Sequence, residues 1–94
     1  MSKEKRGLAV SQAVTWRKTG EEAVILNMET SEYYSANDTG TFIWELLNSG
    51  KTAAKIAEAL ALEYGIPGEE AAGDTEAFLR DLEKLRILSR EMGK

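Results

Sequence analysis

The spacing of apolar residues changes once along the chain, and this change constrains the fold more than any other feature of the sequence. Up to Ser35, short apolar stretches either alternate with the period of two that is typical of β-strands or are apolar on both faces, as in a central strand. From Asn37 onward apolar residues recur every three to four residues, as on one face of an α-helix. Because the strands precede the helices along the sequence, the pattern predicts an α+β domain.

Three short strands are predicted before this change. Residues 10–16 alternate apolar and polar side chains, residues 23–26 are apolar on both faces, and residues 32–35 contain two tyrosines. Turn-forming residues fill the intervals 18–21 and 27–31. The pattern therefore predicts a three-stranded antiparallel meander, in which the second strand is central and the first and third strands are edges.

Three helices are predicted after the change. Asn37 is a good N-cap for the first helix, Thr52 is a good N-cap for the second, and the third begins at about Glu69. Ile87 and Leu88 are expected to fold the C-terminus back onto the core. The βββααα order predicts a winged-helix-like α+β domain, with the three helices on one face of the sheet.

The length and the charge distribution predict one acidic domain between two tails. The chain has 94 residues and a net charge of −4. Residues 1–20 hold five basic residues and one acidic residue, whereas the remainder holds seven basic and fifteen acidic residues. We therefore assign residues 1–9 to a flexible basic tail, residues 10–90 to a single domain and residues 91–94 to a C-terminal tail. An acidic body disfavours nucleic acid, because phosphate contacts supply most of that affinity.

The composition argues against several classes of activity. The absence of cysteine and histidine excludes disulfides, thiolate chemistry and the usual zinc sites. There is no glycine-rich phosphate loop, and the carboxylate pairs fall on helix faces expected to be solvated. We therefore predict a protein without catalytic activity, metal or cofactor. No apolar run reaches the roughly 20 residues that span a bilayer, so we expect no membrane contact and a cytoplasmic location.

The third strand carries the clearest indication of function. An edge strand leaves main-chain N–H and C=O groups unpaired, and proteins commonly protect it with lysine, proline or a bulge. Glu32 is the only charged residue of this strand, which has neither lysine nor proline. Such an edge can accept an extended peptide as an added strand. The alternatives are that the edge is too short to bind a peptide or that the third helix covers it.

The two tyrosines of this strand are predicted to lie on opposite faces of the sheet. Tyr34 has the same parity as Ala36, which leads directly into the helices. We therefore expect Tyr34 to face inward and Tyr33 to lie on the other face, at or near solvent. The small side chain of Ala36 is expected to leave a recess beside Tyr34.

The third helix is predicted to supply a groove if it flanks the third strand. Phe78, Leu79 and Leu82 are then expected to form the floor of the groove, with the polar residues Asp74 and Thr75 about one turn earlier. An open edge and an adjoining groove together predict a peptide-binding site.

Two other functions fit parts of the same pattern. A winged-helix nucleic-acid binder would need a basic stripe, but the basic residues at the end of the third helix are interrupted by Asp81 and Glu83. A dimerising scaffold would pair the open edge with the same edge of a second copy. We expect a monomer, with the edge-strand dimer as the alternative.

The central part of the sequence resembles a known family. The run YYSANDTGTFIWELL at residues 33–47 is similar to the YYxLNxTGxxIWxLL pattern of PqqD-like proteins, and the similarity continues through residues 50–64 and 74–82. The resemblance extends over most of the chain. It departs from the family pattern at Ala36, where leucine is usual, and at Arg86, where glycine is usual.

The resemblance implies a RiPP recognition element, a non-catalytic domain that binds the leader of a ribosomally synthesised precursor peptide. It implies that the leader adds to the third strand, packs against the third helix and is delivered to a modifying enzyme. The pattern is most similar to free-standing proteins of lasso-peptide biosynthesis, whose partner is a leader peptidase. The alternative is a PqqD-type peptide chaperone for a radical SAM enzyme in quinone-cofactor or other RiPP biosynthesis. The implied peptide-binding residues are Glu32, Tyr33, Tyr34, Ser35, Asp74, Thr75, Phe78, Leu79 and Leu82.

Overall fold

The computed structural model describes residues 8–90, which form an antiparallel sheet covered on one face by three helices. The elements in chain order are β1 (Leu8–Val10), β2 (Val14–Thr19), β3 (Glu22–Asn27), β4 (Glu32–Ala36), α1 (Asp38–Asn48), α2 (Ala53–Tyr64), α3 (Gly68–Lys84) and β5 (Leu88–Arg90). The main sheet has the strand order β2-β3-β4. The predicted meander and the βββααα arrangement are therefore confirmed.

The register of the main sheet determines which side chains face the helices. Ile25 pairs with Trp16 on β2 and with Tyr34 on β4, and Ala23 pairs with Ala36. The side chains of Ala23, Ile25 and Ala36 are all buried, whereas their neighbours on the other parity are largely exposed. One face of the sheet therefore packs against the helices, and the other face is open to solvent.

The predicted first strand is wrong in its extent. Residues 10–16 do not form one strand, because a turn at residues 11–13 separates β1 from β2. The hydroxyl of Ser11 accepts a hydrogen bond from the N–H of Ala13 (3.0 Å), and its carbonyl accepts one from the N–H of Val14 (3.3 Å). Serine stabilises turns of this kind through its side-chain oxygen.

A second, two-stranded sheet joins the two ends of the described chain. β1 pairs antiparallel with β5, with Val10 opposite Leu88. Ile87 and Leu88 are buried, so the expected return of the C-terminus onto the core is confirmed. Leu8 and Ala9, which the sequence assigned to the N-terminal tail, instead belong to β1. Residues 1–7 and 91–94 lie outside the described residues.

The helices begin and end where the sequence carries capping residues. The side-chain oxygen of Asn37 accepts from the N–H of Gly40 (2.9 Å), and the hydroxyl of Thr52 accepts from the N–H of Lys55 (3.2 Å). Gly65 ends α2 in the left-handed conformation, with φ 62°. The predicted caps of α1 and α2 are confirmed. Within residues 8–90, no helix is long and apolar enough to cross a membrane.

The core lies between the sheet and the helices, and all three helices contribute to it. Trp44 is fully buried, and the ring of Trp16 meets it edge-on at 5.9 Å between centroids. Such aromatic pairs add about 0.5–1.5 kcal/mol beyond the area that they bury. The largest fully buried apolar side chains are Trp44, Ile25, Ile43, Ile56, Leu60, Leu79, Leu82 and Ile87.

A buried asparagine fixes the end of α3 relative to the sheet. The side-chain amide of Asn27 donates to the carbonyls of Leu85 (3.0 Å) and Arg86 (3.2 Å), and its oxygen accepts from the N–H of Glu29 (2.9 Å). An amide buried without partners would cost about 1–3 kcal/mol, so these hydrogen bonds are a strong constraint. They hold the turn that precedes β4 against the chain that leaves α3.

Candidate functional site: an open strand edge beside a groove

The hydrogen-bond alternation of the sheet identifies the unpaired main-chain groups on β4. The N–H of Met28 donates to the carbonyl of Ala13 (2.9 Å), and these two residues are opposite each other in the register that pairs Val14 with Asn27. Hydrogen-bonded and non-hydrogen-bonded pairs alternate along an antiparallel ladder. Met28 belongs to a hydrogen-bonded pair and Ile25 lies three residues before it, so Ile25 belongs to a non-hydrogen-bonded pair with β2. Ile25 therefore directs its main-chain groups away from β2 and toward β4.

The same alternation carries across to the edge strand. Because Ile25 is opposite Tyr34, the main-chain groups of Tyr34 are used in the pairing of β4 with β3, as are those of Glu32 and Ala36. The N–H and C=O groups of Tyr33 and Ser35 point outward, away from the sheet. Within residues 8–90 no other strand pairs with this edge. An incoming strand would therefore bond to Tyr33 and Ser35.

The side chains of the two tyrosines lie on opposite faces, as predicted. Tyr33 is 66% exposed on the open face of the sheet. Tyr34 is half-buried on the face that meets the helices. A peptide strand added to β4 would therefore have Tyr34 and the helices on one side and Tyr33 on the other.

A groove of about 330 Å³ adjoins the open edge on its helical side. Three elements form it: β4, the first turns of α1, and the middle of α3. Its lining residues are Tyr34, Asn37, Thr39, Gly40, Ile43, Asp74, Ala77, Phe78 and Asp81. The groove lies where an added strand would place alternate side chains, which fits the binding of an extended peptide.

An aromatic pair forms the apolar part of the groove. The rings of Tyr34 and Phe78 meet edge-on, with 5.6 Å between their centroids. Gly40 allows this packing, because a Cβ atom there would lie 3.1 Å from Cε1 of Phe78 and 3.2 Å from Cβ of Ala36. The close approach of α1 to α3 at Gly40 therefore holds Phe78 against Tyr34.

The hydroxyl of Tyr34 connects the edge strand to α3. It donates a long hydrogen bond to Oδ2 of Asp81 (3.4 Å). Burial raises the pKa of Tyr34 above its ordinary value of 10.0, and the charge of Asp81 and the hydrogen bond to it raise the pKa further. The neutral phenol is thereby favoured, and it keeps a donor directed at the carboxylate.

The predicted wall residues separate into two groups. Asp74 and Phe78 line the groove. Thr75 is 2% exposed, and Leu79 and Leu82 are fully buried, so these three side chains pack in the core behind the wall. Leu79 and Leu82 therefore do not line the groove, and their contact with a peptide stays a prediction.

The sequence interpretation missed several groove residues. On α3 it missed Ala77 and Asp81, which share a helix face with Asp74 and Phe78 at the i, i+3, i+4 and i+7 positions. This spacing was available as a signal. The residues missed in the segment around the start of α1 are Asn37, Thr39, Gly40 and Ile43.

The predicted recess at Ala36 is wrong. Ala36 is buried beneath the groove, close to the backbone of Gly40, and does not line it. The opening instead lies between Tyr34, Phe78 and the first turn of α1. Within the described part of the chain, no group of acidic, histidine or cysteine side chains is arranged to hold a metal ion.

The fold and the site define a class of small α+β domains that offer an open strand edge beside a helical groove. The family model for PqqD, described as coenzyme PQQ synthesis protein D, matches residues 22–88. The chain therefore belongs to the PqqD family, and the predicted resemblance is confirmed. A comparison with curated protein sequences gives no match.

Two solved structures share this fold. TbiB1 in complex with the TbiA(beta) leader peptide is 30% identical to this chain, with a TM-score of 0.80, over 90% of this chain and 95% of that one. A lasso peptide synthetase B1 complexed with its leader peptide is 24% identical, with a TM-score of 0.80, over 88% of this chain and 98% of that one. Because the identity to the second structure is only 24%, this comparison shows that the fold is shared and nothing more.

Proposed function

We propose that this chain is a RiPP recognition element of lasso-peptide biosynthesis, which binds the leader of a precursor peptide by β-strand addition to β4. The observation that carries the proposal is the pair of outward main-chain groups at Tyr33 and Ser35 beside the groove. Membership of the PqqD family supports the proposal. So does the 30% identity to TbiB1, whose solved structure is a complex with the TbiA(beta) leader peptide.

The leader is bound by two kinds of contact. Main-chain hydrogen bonds to Tyr33 and Ser35 hold it in register, whatever its sequence. Side chains of the leader on the helical side enter the groove against Tyr34 and Phe78, which selects among sequences. Peptide contact with Glu32 and Asp74 remains part of the proposal. Thr75, Leu79 and Leu82 support the wall from behind.

The domain acts without catalytic chemistry and delivers the bound precursor to a processing enzyme, a leader peptidase. Both steps belong in the cytoplasm, which suits a chain without cysteine. The alternative partner is a radical SAM enzyme, as for a PqqD-type chaperone in quinone-cofactor biosynthesis, because the family match has this description.

The nucleic-acid alternative is disfavoured by the ion pairs of Arg80 on α3 and Arg90 on β5. Arg80 lies 3.8 Å from Glu76, and Arg90 lies 2.6 Å from Glu76 and 3.4 Å from Glu83. These cations are engaged with carboxylates of the same domain, so they do not form a basic stripe for phosphates.

The test first identifies short precursor peptides encoded near the gene for this chain and then titrates the chain calorimetrically with their synthetic leaders. We expect binding with a Kd on the order of micromolar or tighter, and no binding of a scrambled leader of the same composition. Addition of the chain should also accelerate removal of that leader by a leader peptidase encoded in the same gene cluster. Equal binding of the native and scrambled leaders would refute the proposal.

A further inference from the structure

The groove beside β4 carries negative charge and no positive charge. Asp74 and Asp81 are the charged residues among those that line it. They lie seven residues apart on the same face of α3, about 10 Å along the helix, with Phe78 between them. A side chain that packs on Phe78 therefore has a carboxylate within reach on either side.

These two carboxylates have no cationic partner among the described residues. The ion pairs of α3 involve Glu76 and Glu83, which bind Arg80 and Arg90 away from the groove lining. Asp81 accepts a hydrogen bond from the neutral hydroxyl of Tyr34 at 3.4 Å. The groove therefore retains two formal negative charges in a body that is already acidic.

The opposite edge of the sheet carries charge of the other sign. β2 contains Arg17 and Lys18, and both are exposed. Nζ of Lys18 lies 2.9 Å from a carboxylate oxygen of Glu45 on α1. A cationic strand is thus attracted by the groove beside β4, whereas at the β2 edge it meets Arg17 and the ion pair of Lys18.

We propose that the leader segment bound at β4 is cationic, with at least one lysine or arginine that reaches Asp74 or Asp81 while its neighbours pack on Phe78 and Tyr34. This inference rests on the proposed function. The open edge and the aromatic wall explain why a peptide binds here, and the two carboxylates determine which peptide binds.

The test selects binders from a display library of random peptides of roughly 12 residues, long enough for an added strand and its flanks. The library is panned in parallel on the parent chain, on Asp74→Asn/Asp81→Asn and on Ser35→Pro. The matched control is Glu58→Gln/Glu63→Gln, which removes the same charge from exposed positions on α2 that do not line the groove. Thermal unfolding of every variant verifies that it is folded.

We expect peptides from the parent and from the α2 control to carry lysine or arginine at one fixed distance from an aromatic or aliphatic residue. The Asp74→Asn/Asp81→Asn chain should lose this preference but keep the apolar one. For one selected peptide, replacing that lysine with glutamine should weaken binding to the parent by about threefold to fivefold at low salt, and binding to the double variant by less than about twofold.

The outcomes separate this inference from the proposed function. If the selected peptides depend on Ser35 but are neutral or acidic, or if the basic preference survives in Asp74→Asn/Asp81→Asn, the inference is overturned and strand addition stands. If the parent enriches no peptide beyond Ser35→Pro, strand addition itself is overturned, and the inference is overturned with it.

Discussion

The two edges of the same small sheet differ in almost every property that controls strand addition. The β2 edge carries Arg17 and Lys18, and Lys18 pairs with Glu45 on α1. The β4 edge has no lysine or proline and adjoins a groove with an aromatic wall and two carboxylates. Both edges have outward main-chain groups, so the backbone alone does not distinguish them.

The difference teaches that side chains decide which edge is available. Charged residues on an edge strand are a common protection against unwanted pairing. On β2 this protection is present, and Trp16 packs on Trp44 beneath it. On β4 the protection is missing, and the neighbouring space is left open rather than filled. We therefore expect peptide to bind one edge only.

The largest effect is expected from proline at the two edges. Ser35→Pro removes an outward N–H, and its ring blocks the approach of a strand, so leader affinity should fall by about thirtyfold or more. The fold should survive, because this N–H is not used within the sheet. Calorimetric titration measures the change in affinity.

The matched control for Ser35→Pro is Lys18→Pro, which removes an outward N–H from the β2 edge. Leader affinity should stay within about twofold of the parent, since the lost ion pair is exposed and worth little. A similar loss of affinity in both variants would contradict the assignment of binding to β4.

The next largest difference in leader affinity is expected between substitutions of the aromatic residues beside the two edges. Phe78→Ala should weaken leader binding by about tenfold, because it removes an anchor in the groove. Trp16→Ala should leave the affinity unchanged, although it also loses an aromatic contact in the folded protein. Each titration needs a melting curve, since removing the buried ring of Phe78 destabilises the fold by about 3–5 kcal/mol and removing the partly exposed ring of Trp16 destabilises it by less.

If Phe78→Ala does not fold, Phe78→Leu supplies the comparison with a smaller loss of packing. Equal leader affinities for the parent, Phe78→Leu and Trp16→Ala would show that the groove is not part of the binding site.

A smaller effect concerns the contact between Tyr34 and Asp81. Because the pKa of Tyr34 is raised in the folded state, its contribution to stability is complete below the unfolded value of 10.0 and is lost as the pH rises through the folded value. The unfolding free energy of the parent should therefore fall relative to that of Tyr34→Phe as the pH rises above 10.0. Urea unfolding across this range measures the difference, and a constant difference would contradict the raised pKa that burial and Asp81 together cause.

The smallest effect is expected on the open face of β4. Tyr33 is largely exposed there, so Tyr33→Ala should change leader affinity by less than about threefold, provided that its main-chain bonds form as before. Tyr34→Ala, on the groove side, should cost about 1–3 kcal/mol. Titration of both variants compares the two faces directly. A larger loss for Tyr33→Ala would place the main side-chain contacts of the peptide on the open face of the sheet instead of in the groove.

The elements with local sequence signals could be predicted. Asn37 and Thr52 cap helices through their own side chains, and the two tyrosines alternate across a strand by the geometry of its backbone. These features depend on a few consecutive residues. The strand order could be predicted as well, because strands that are joined by short turns normally pair with each other, which gives an antiparallel meander.

Several features that depend on distant parts of the chain were not predicted correctly, although the return of Ile87 and Leu88 onto the core was. Val10 and Leu88 pair across nearly the whole domain, and neither three-residue strand has a period of its own. Leu79 was expected in the groove but is buried in the core. Asp81 was overlooked, although it lines the groove. Which face of α3 meets β4 is set by packing against the sheet and α2, which sequence spacing alone does not define.

Amide hydrogen exchange of β4, followed by NMR with and without the leader, tests the central claim most directly. In the free protein, the amide of Tyr34 should be protected and those of Tyr33 and Ser35 should exchange rapidly. Saturating leader should protect Tyr33 and Ser35 and leave the outward amides of Trp16 and Lys18 on β2 unchanged. Unaltered exchange at Tyr33 and Ser35 in a chain saturated with leader would contradict strand addition to β4.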